Sequence, residues 1–400
     1  MKFAHLADCH IGGWREESLK ALSIKSFERI MDICIKEHVG FILIAGDLFN
    51  TAIPSIDLLR ETAALLRRVR DHDINVYIIP GSHDFSYSGK TMLDVLEEAG
   101  LVHNVMRFDD DGKLVFTTDK TGVKLTGLLG KKGGLERLDY ERLSREHLEK
   151  EAGFKIFLFH TLINEFRPPE LEMVDSTSVA TLPKNFHYYA GGHPHFVFKT
   201  SFSDGLLSYP GPSFPNNFKE LEELGCGGFY IVDDKLNIRH IPIRLKEVVS
   251  YVFDAADKTP DAIERDVIST VKDVTDRIVT LRFEGVLSSG KPSDINFRNI
   301  FSNLSSAYCV LKNTHKLTSK EFIEEETIAS EQILEIESSV VRDNKSPVDI
   351  SSFGISNIES FVSSLMVCLN TEKQDGEKNA DFEKRVVRNV SSLFSLQENL

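Results

Sequence analysis

Asp8 and His10 stand directly after the apolar run that opens the chain, and the same juxtaposition recurs four more times. Gly46-Asp47 follows a strand-like FILIA, and Gly81-Ser82-His83-Asp84 follows VYII and Pro80. His160 ends KIFLF, and Gly191-Gly192-His193-Pro194-His195 ends FHYYA. Carboxylate oxygen with imidazole nitrogen is the donor mix of manganese, iron or zinc rather than calcium. Two such ions about 3.5–4 Å apart share a bridging carboxylate and clamp a phosphodiester during in-line attack. A site of that kind takes roughly seven ligands, and these loops supply that number. A single histidine among 13 is more often structural than a ligand. Five polar loops closing five apolar strands are a stronger signal, because loops at one sheet edge converge.

The elements that must position these residues follow from periodicity. Strands are expected over 2–7, 41–45, 76–79, 155–159 and 186–190, with helices over 19–38, 55–70 and 91–99. Phe27, Ile30, Met31, Cys34 and Ile35 repeat at helical spacing, Ser55 is a candidate N-cap, and Gly100 stops the third helix. This alternation predicts an α/β layered domain. A hairpin pair over 114–117 and 123–129 and strands over 229–232 and 238–243 complete it. A small α+β module follows, with strands over 278–283 and 308–313 and a helix over 294–304. An acidic helix is expected over 321–341, then tail helices over 358–369 and 382–394 joined by a polar loop over 370–380. His5 is expected to pack or hydrogen-bond behind the site. His38, His72, His103, His147, His187, His240 and His315 read as structural or solvated.

The composition is that of a soluble globular protein, with 41% hydrophobic and 27% charged residues in 400. No run approaches the roughly 20 apolar residues of a membrane span, and the N-terminus lacks a signal-peptide core. A cytoplasmic protein is therefore expected. The five cysteines are scattered, without a CxxC pair, and read as reduced thiols. The net charge of −14 is unusual for a protein that binds nucleic acid. Contacts to phosphates would have to come from local basic patches or from a partner.

The order DxH, GD, GSHD, H, GHPH resembles the calcineurin-like metallophosphoesterase superfamily. MKFAHLADCHIGG, FILIAGDLFN, YYAGGHPH, SYPGPSF and GFYIVDD are similar to the Meiotic Recombination Eleven nuclease family, called SbcD in bacteria. The resemblance is dense over 1–245 and loose to 330. It implies a four-layer α/β/β/α metallophosphoesterase sandwich over 1–245 and a small α+β capping domain over 246–330 that contacts DNA. A helical tail over 331–400 would dock on the coiled coil of an SMC-like ATPase. Two Mn2+ per chain are implied, the first held by Asp8, His10 and His195, the second by His160, His193 and Ser82, with Asp47 bridging. His83 would stand above the scissile phosphate, stabilising the transition state and protonating the leaving oxygen.

The implied activity is 3′-5′ exonuclease and single-strand endonuclease on DNA double-strand-break ends. A homodimer would form through 55–70 and 91–99. Two positions depart from the family. Ser82 replaces the usual Asn, which predicts weaker binding of the second metal, and Asn50 replaces a frequent His after GDLF. Basic residues for DNA contact in the cap are scattered (Lys272, Arg277, Arg282, Lys291, Arg298, Lys312 and Lys316) and read equally as a solvated face. The alternatives are a small-molecule phosphodiesterase with the same metals and a DNA-end-binding scaffold.

Overall fold

Strands without a polar face have to be covered on both sides, and that requirement sets the layering here. The FILIA and KIFLFH strands have every residue buried. The computed structural model describes residues 1–86, 91–171, 174–320, 358–373 and 379–393. They fall into two compact units: 1–254, 264–284 and 296–316, and 255–263, 285–295 and the described residues of 317–400.

Two six-stranded sheets build the first unit. One runs in the order β14 (Ile238–Ile243), β13 (Gly227–Asp233), β1 (Lys2–Leu6), β2 (Phe41–Ala45), β3 (Asn75–Ile79) and β4 (His103–Asn104). The other runs β11 (Val197–Phe202), β12 (Gly205–Pro210), β10 (Tyr188–Gly192), β7 (Lys155–His160), β6 (Lys124–Leu128) and β5 (Thr117–Thr118). Strands β1, β2 and β3 are mutually parallel, as are β6, β7 and β10.

The period-2 alternation sorts side chains between layers. Phe3, Phe41, Leu43 and Tyr77 of the first sheet meet Leu125, Ile156, Leu158 and Tyr188 of the second in the central core. The opposite face of the first sheet, Ala4, Leu6, Ile42 and Ile44, is covered by α1 (Glu17–Lys36), α2 (Ile56–Asp71) and α3 (Met92–Glu98). Phe157, Phe159 and Tyr209 on the far face of the second pack with Tyr140 of α4 (Arg137–Arg142) and Leu148 of α5 (Glu146–Lys150). The result is the α/β/β/α sandwich.

The helical expectations are met with small shifts at the ends. Ser55 caps α2 by accepting from Leu58 N–H, and Thr91 with Asp94 forms a capping box on α3. The hairpin over 114–117 and 123–129 is shorter than expected. Only Thr117–Thr118 pairs with β6, and Leu114 bridges Phe108 instead. Features not anticipated include the β11/β12 hairpin, α4 with α5, the seven-residue α6 (Phe218–Leu224), and, beyond the two sheets, the strand Val248–Asp254 and the helix Pro260–Thr270. All are short or half-exposed, so their apolar pattern is weak.

A three-stranded sheet runs in the order β15 (Val248–Asp254), β16 (Ile278–Leu287) and β17 (Cys309–Ser319), and α7 (Pro260–Thr270) and α8 (Phe297–Asn303) fall between these strands in the chain. Among the basic residues named above, Arg277 pairs with Glu247, Arg282 with Glu222 and Lys316 with Glu284. Helices also occupy Ile358–Leu369 and Asn379–Leu393. The helix expected over 321–341 lies outside the described residues, as does part of the 370–380 loop.

His5 lies between the two sheets, with no exposed surface and Nδ1 2.9 Å from Tyr188 Oη. Burial lowers its pKa from 6.5 to about 3. The unfolded chain takes up this proton as pH falls through 6.5, and the folded chain only near 3. His5 therefore makes stability fall with decreasing pH across that window, by roughly 1.4 kcal/mol per pH unit at most. Tyr188 Oη keeps a 2.6 Å bond to Ser208 if the imidazole is lost, so His5→Phe orphans no partner there. Urea unfolding of His5→Phe between pH 6 and 4, with metal chelated, should show about one proton less of pH dependence than the parent. An unchanged slope counts against this assignment.

Candidate metal centre

The parallel strands carry their polar loops to one edge, and the loops stay in register beyond the sheet. Asp8 N–H donates to Gly46 O at 3.2 Å, His10 N–H to Asp47 O at 3.0 Å and Ile11 N–H to Leu48 O at 3.0 Å. Asp8, His10, Asp47 and His193 all have positive φ (51°, 41°, 53° and 93°). For residues other than glycine this costs on the order of 1 kcal/mol each and clusters where function holds it in place. Two glycines admit the ligands. A Cβ on Gly46, itself at φ 85°, would lie 2.2 Å from His160 Nδ1, and one on Gly81 would lie 2.1 Å from Asp47 Oδ1.

Asp47, 2% exposed, is the centre of the cluster. Oδ1 accepts from His83 N–H at 2.7 Å. Around Oδ2 stand His160 Nε2 at 3.3 Å, Ser82 Oγ at 3.5 Å and His10 Nε2 at 3.6 Å. Asp8 accepts His193 N–H on both oxygens, at 3.0 and 3.1 Å, and lies 3.8 Å from His195 Nε2. The Nε2 atoms of His10 and His195 are 3.1 Å apart. Candidate ligand atoms fall into three overlapping groups: Asp8, His10 and His195; His10, Asp47 and His83; Asp8, Asp47 and His160.

Charge in the cluster is strongly redistributed. Burial raises Asp8 to about 6 against the pull of His195 and His160, and it lowers His10 and His193 to about 3. Burial also opposes ionisation of Asp47, but His160 and then His10 outweigh it and hold that carboxyl far below its usual range. Burial resists charge on His160 and His195 as well. Asp47 with Asp8 lifts the former to about 10, and Glu220 with Asp8 lifts the latter to about 9. The two carboxylates thus create a strong demand for positive charge inside the fold.

The donor set fits divalent cations. Three imidazoles use Nδ1 outward: His160 to Ala45 O at 2.8 Å, His83 to Asn50 O at 2.8 Å and His195 to Glu220 Oε1 at 2.7 Å. Each keeps Nε2 for the site, the arrangement in which metal-binding histidines are oriented by their other nitrogen. His160 Nε2 is buried without a hydrogen bond.

Of the anticipated residues, Asp8, His10, Asp47, His83, His160 and His195 converge as ligand atoms. Ser82 reaches Asp47, and the His193 ring lies 5.2 Å from that of His160. Asn50 faces His83 through its carbonyl, so that contact does not depend on its side chain. Cys9 is buried and its thiol is pushed well above the ordinary value, which leaves it neutral.

Two supporting residues were missed by the sequence reading. Asp84, in the GSHD loop, accepts N–H bonds from Leu48, Phe49 and Gly81, each at 3.1 Å. Burial and then the Asp47 charge push it up to about 7. Its position beside His83 was the available signal. Glu220, on the unforeseen α6, had none.

Residues 1–196 match the family profile described as Calcineurin-like phosphoesterase. The chain is 28% identical over 226 residues to "DNA double-strand break repair protein Mre11" of Archaeoglobus fulgidus, covering 53% of this chain and 49% of that protein. It is 29% identical over 263 residues to the protein of the same name from Methanocaldococcus jannaschii, covering 62% of this chain and 68% of that one. The match therefore spans about half the length of the first relative and two thirds of the second. Among solved structures, TT1561 of Thermus thermophilus aligns over 61% of this chain and 99% of its own, with TM-score 0.41 and 15% identity.

Asp84 is the bracket that joins the Asp47 and His83 loops. Asp84→Ala leaves three buried N–H groups without their acceptor, each worth about 1–3 kcal/mol, less whatever water recovers. Denaturant titration is expected to show a loss of about 3 kcal/mol, with Asp84→Asn losing less. A change under about 0.5 kcal/mol would mean that the loops are held elsewhere.

Proposed function

We propose, from the match of residues 1–196 to the calcineurin-like phosphoesterase profile, that the chain is a manganese-dependent nuclease acting on broken DNA ends. The observation that carries the reading is the convergence of two buried carboxylates and four imidazoles on one point, with Asp47 shared between groups. The Mre11 relatives supply the substrate class, since their name is that of DNA double-strand break repair proteins. The assigned activities are 3′-5′ exonuclease and single-strand endonuclease.

Asp8, His10 and His195 would hold one Mn2+, and His160, His193 and Ser82 a second, with Asp47 between them. When bound, such ions supply Lewis acidity and lower the pKa of an attacking water. The protein's own part is orientation and proton transfer. His83 is fixed by its N–H to Asp47 and its Nδ1 to Asn50 O. Its Nε2 is thereby the atom that delivers a proton to the leaving oxygen. Ser82 presents a hydroxyl that is shorter than an amide, so the second ion binds more weakly.

Partners belong to the same reading: DNA, an SMC-like coiled-coil ATPase engaged by the tail, and a second copy of the chain. Ile56 of α2 and Val95 of α3 are 84% and 51% exposed, which supports a dimer through those helices. The domain limits at 245 and 330 and the cytoplasmic location are proposed with it. A small-molecule phosphodiesterase is the second reading, favoured by the family profile ending at 196.

The deciding experiment is degradation of end-labelled linear DNA with and without Mn2+, beside a chromogenic phosphodiester. Cleavage of DNA that requires Mn2+ and disappears in Asp8→Ala is expected. His83→Gln should lower the rate about 10²–10⁴-fold while still binding Mn2+, and Ser82→Asn should reduce the Mn2+ needed. Turnover of the small ester alone would replace the nuclease by the second reading. Light scattering at micromolar concentration is expected to give a dimer, and a monomer removes that part of the proposal.

A further inference from the structure

Glu220 is buried, and both of its oxygens are committed. Oε1 lies 2.7 Å from His195 Nδ1 and also accepts from Asn217 Nδ2, and Oε2 accepts from Asn216 N–H at 2.7 Å. It occupies the third position of α6, behind the N-cap Asn217, whose Oδ1 accepts Glu220 N–H at 2.9 Å. In an ordinary capping box a glutamate there returns to the backbone N–H of the N-cap residue. Glu220 takes the preceding N–H and the histidine instead. The helix that carries it is anchored at other points. Leu221 is buried with Leu19, Leu22 and Phe214. Glu222 receives Arg282 at 3.1 and 2.5 Å, and that guanidinium lies over the Phe218 ring at 5.2 Å.

We propose that Glu220 is a positioning residue of the metal centre, which holds His195 with Nδ1 as donor and Nε2 turned into the site. The inference rests on the reading of that site as a metal centre. A carboxylate only accepts, so Nδ1 has to carry a hydrogen, and the proton that a cation would displace is the one on Nε2. Turning the ring over would put Cδ2 in place of Nδ1 and lose the hydrogen bond to Glu220. A glutamine cannot replace the acid, because both oxygens meet donors and its amide nitrogen would face one of them. Outer partners of this kind change metal affinity about 10–100-fold when removed.

Mn2+ titration of the full chain, followed by calorimetry and by the electron paramagnetic resonance signal of the free ion, tests this without turnover. Glu220→Gln is expected to weaken one of two ions about 10–100-fold and to leave the other unchanged. Arg282→Ala removes an outer anchor of α6, its pair with Glu222, and touches neither Glu220 nor His195. It should lower the thermal transition and retain the parent's Mn2+ affinity. Parent-like binding of both ions by Glu220→Gln overturns the inference. So does an equal loss of affinity in Arg282→Ala, which would make the integrity of α6 the cause. A parent chain that binds no Mn2+ overturns the proposed function itself, and that failure is visible before any substitution is made.

Discussion

A carboxylate placed out of water has to be compensated by charge or hydrogen bonds, or it will not stay ionised. Asp47 is such a group, and the first unit is organised around its compensation. A peptide N–H, a hydroxyl and two imidazoles, drawn from three chain segments, surround it. The second buried carboxylate, Asp8, is met by the His193 peptide and by His195. Neither could be stabilised by one loop alone, which is why the two sheets have to bring their edges together.

That requirement explains the local backbone. Close approach of Asp47 to the neighbouring loop leaves no room for a side chain at position 81, and the His160 ring excludes one at position 46. Four site residues hold left-handed φ values, a strain maintained by hydrogen bonds from peptide N–H groups to neighbouring loops. Outside the cluster, Asp84 ties three peptides together, and the outward nitrogens of His83, His160 and His195 are each engaged. The ligands are therefore oriented by a second ring of contacts before anything binds.

The same economy bears on the acidic balance of the chain. Several basic side chains that might have faced a polyanion are instead used for internal ion pairs, among them Arg277, Arg282 and Arg68. Arg282 is spent on α6, which supports His195 through Glu220. Under the proposed function, attraction for phosphate would come chiefly from bound cations or an associated molecule, because the net charge of −14 repels it.

Five apolar strands, the polar loops that close them and the donor types were legible in the sequence. Apolar runs such as FILIA and KIFLF are long enough to be unambiguous, and Asp and His at their ends stand out chemically. The alternation of strands and helices pointed to α/β layering, and the four-layer sandwich came from the family resemblance. Only the tertiary structure decided which atoms meet, because hydrogen bonds between residues far apart in the chain leave no periodic trace. Glu220 is 25 positions from His195 and sits on a seven-residue helix too short to show an amphipathic repeat. Asp84 was visible as part of GSHD, yet its three peptide partners depend on how two loops pack side by side. The left-handed conformations of Asp8, His10, Asp47 and His193 were hidden for the same reason: non-local contacts hold them there against local preference.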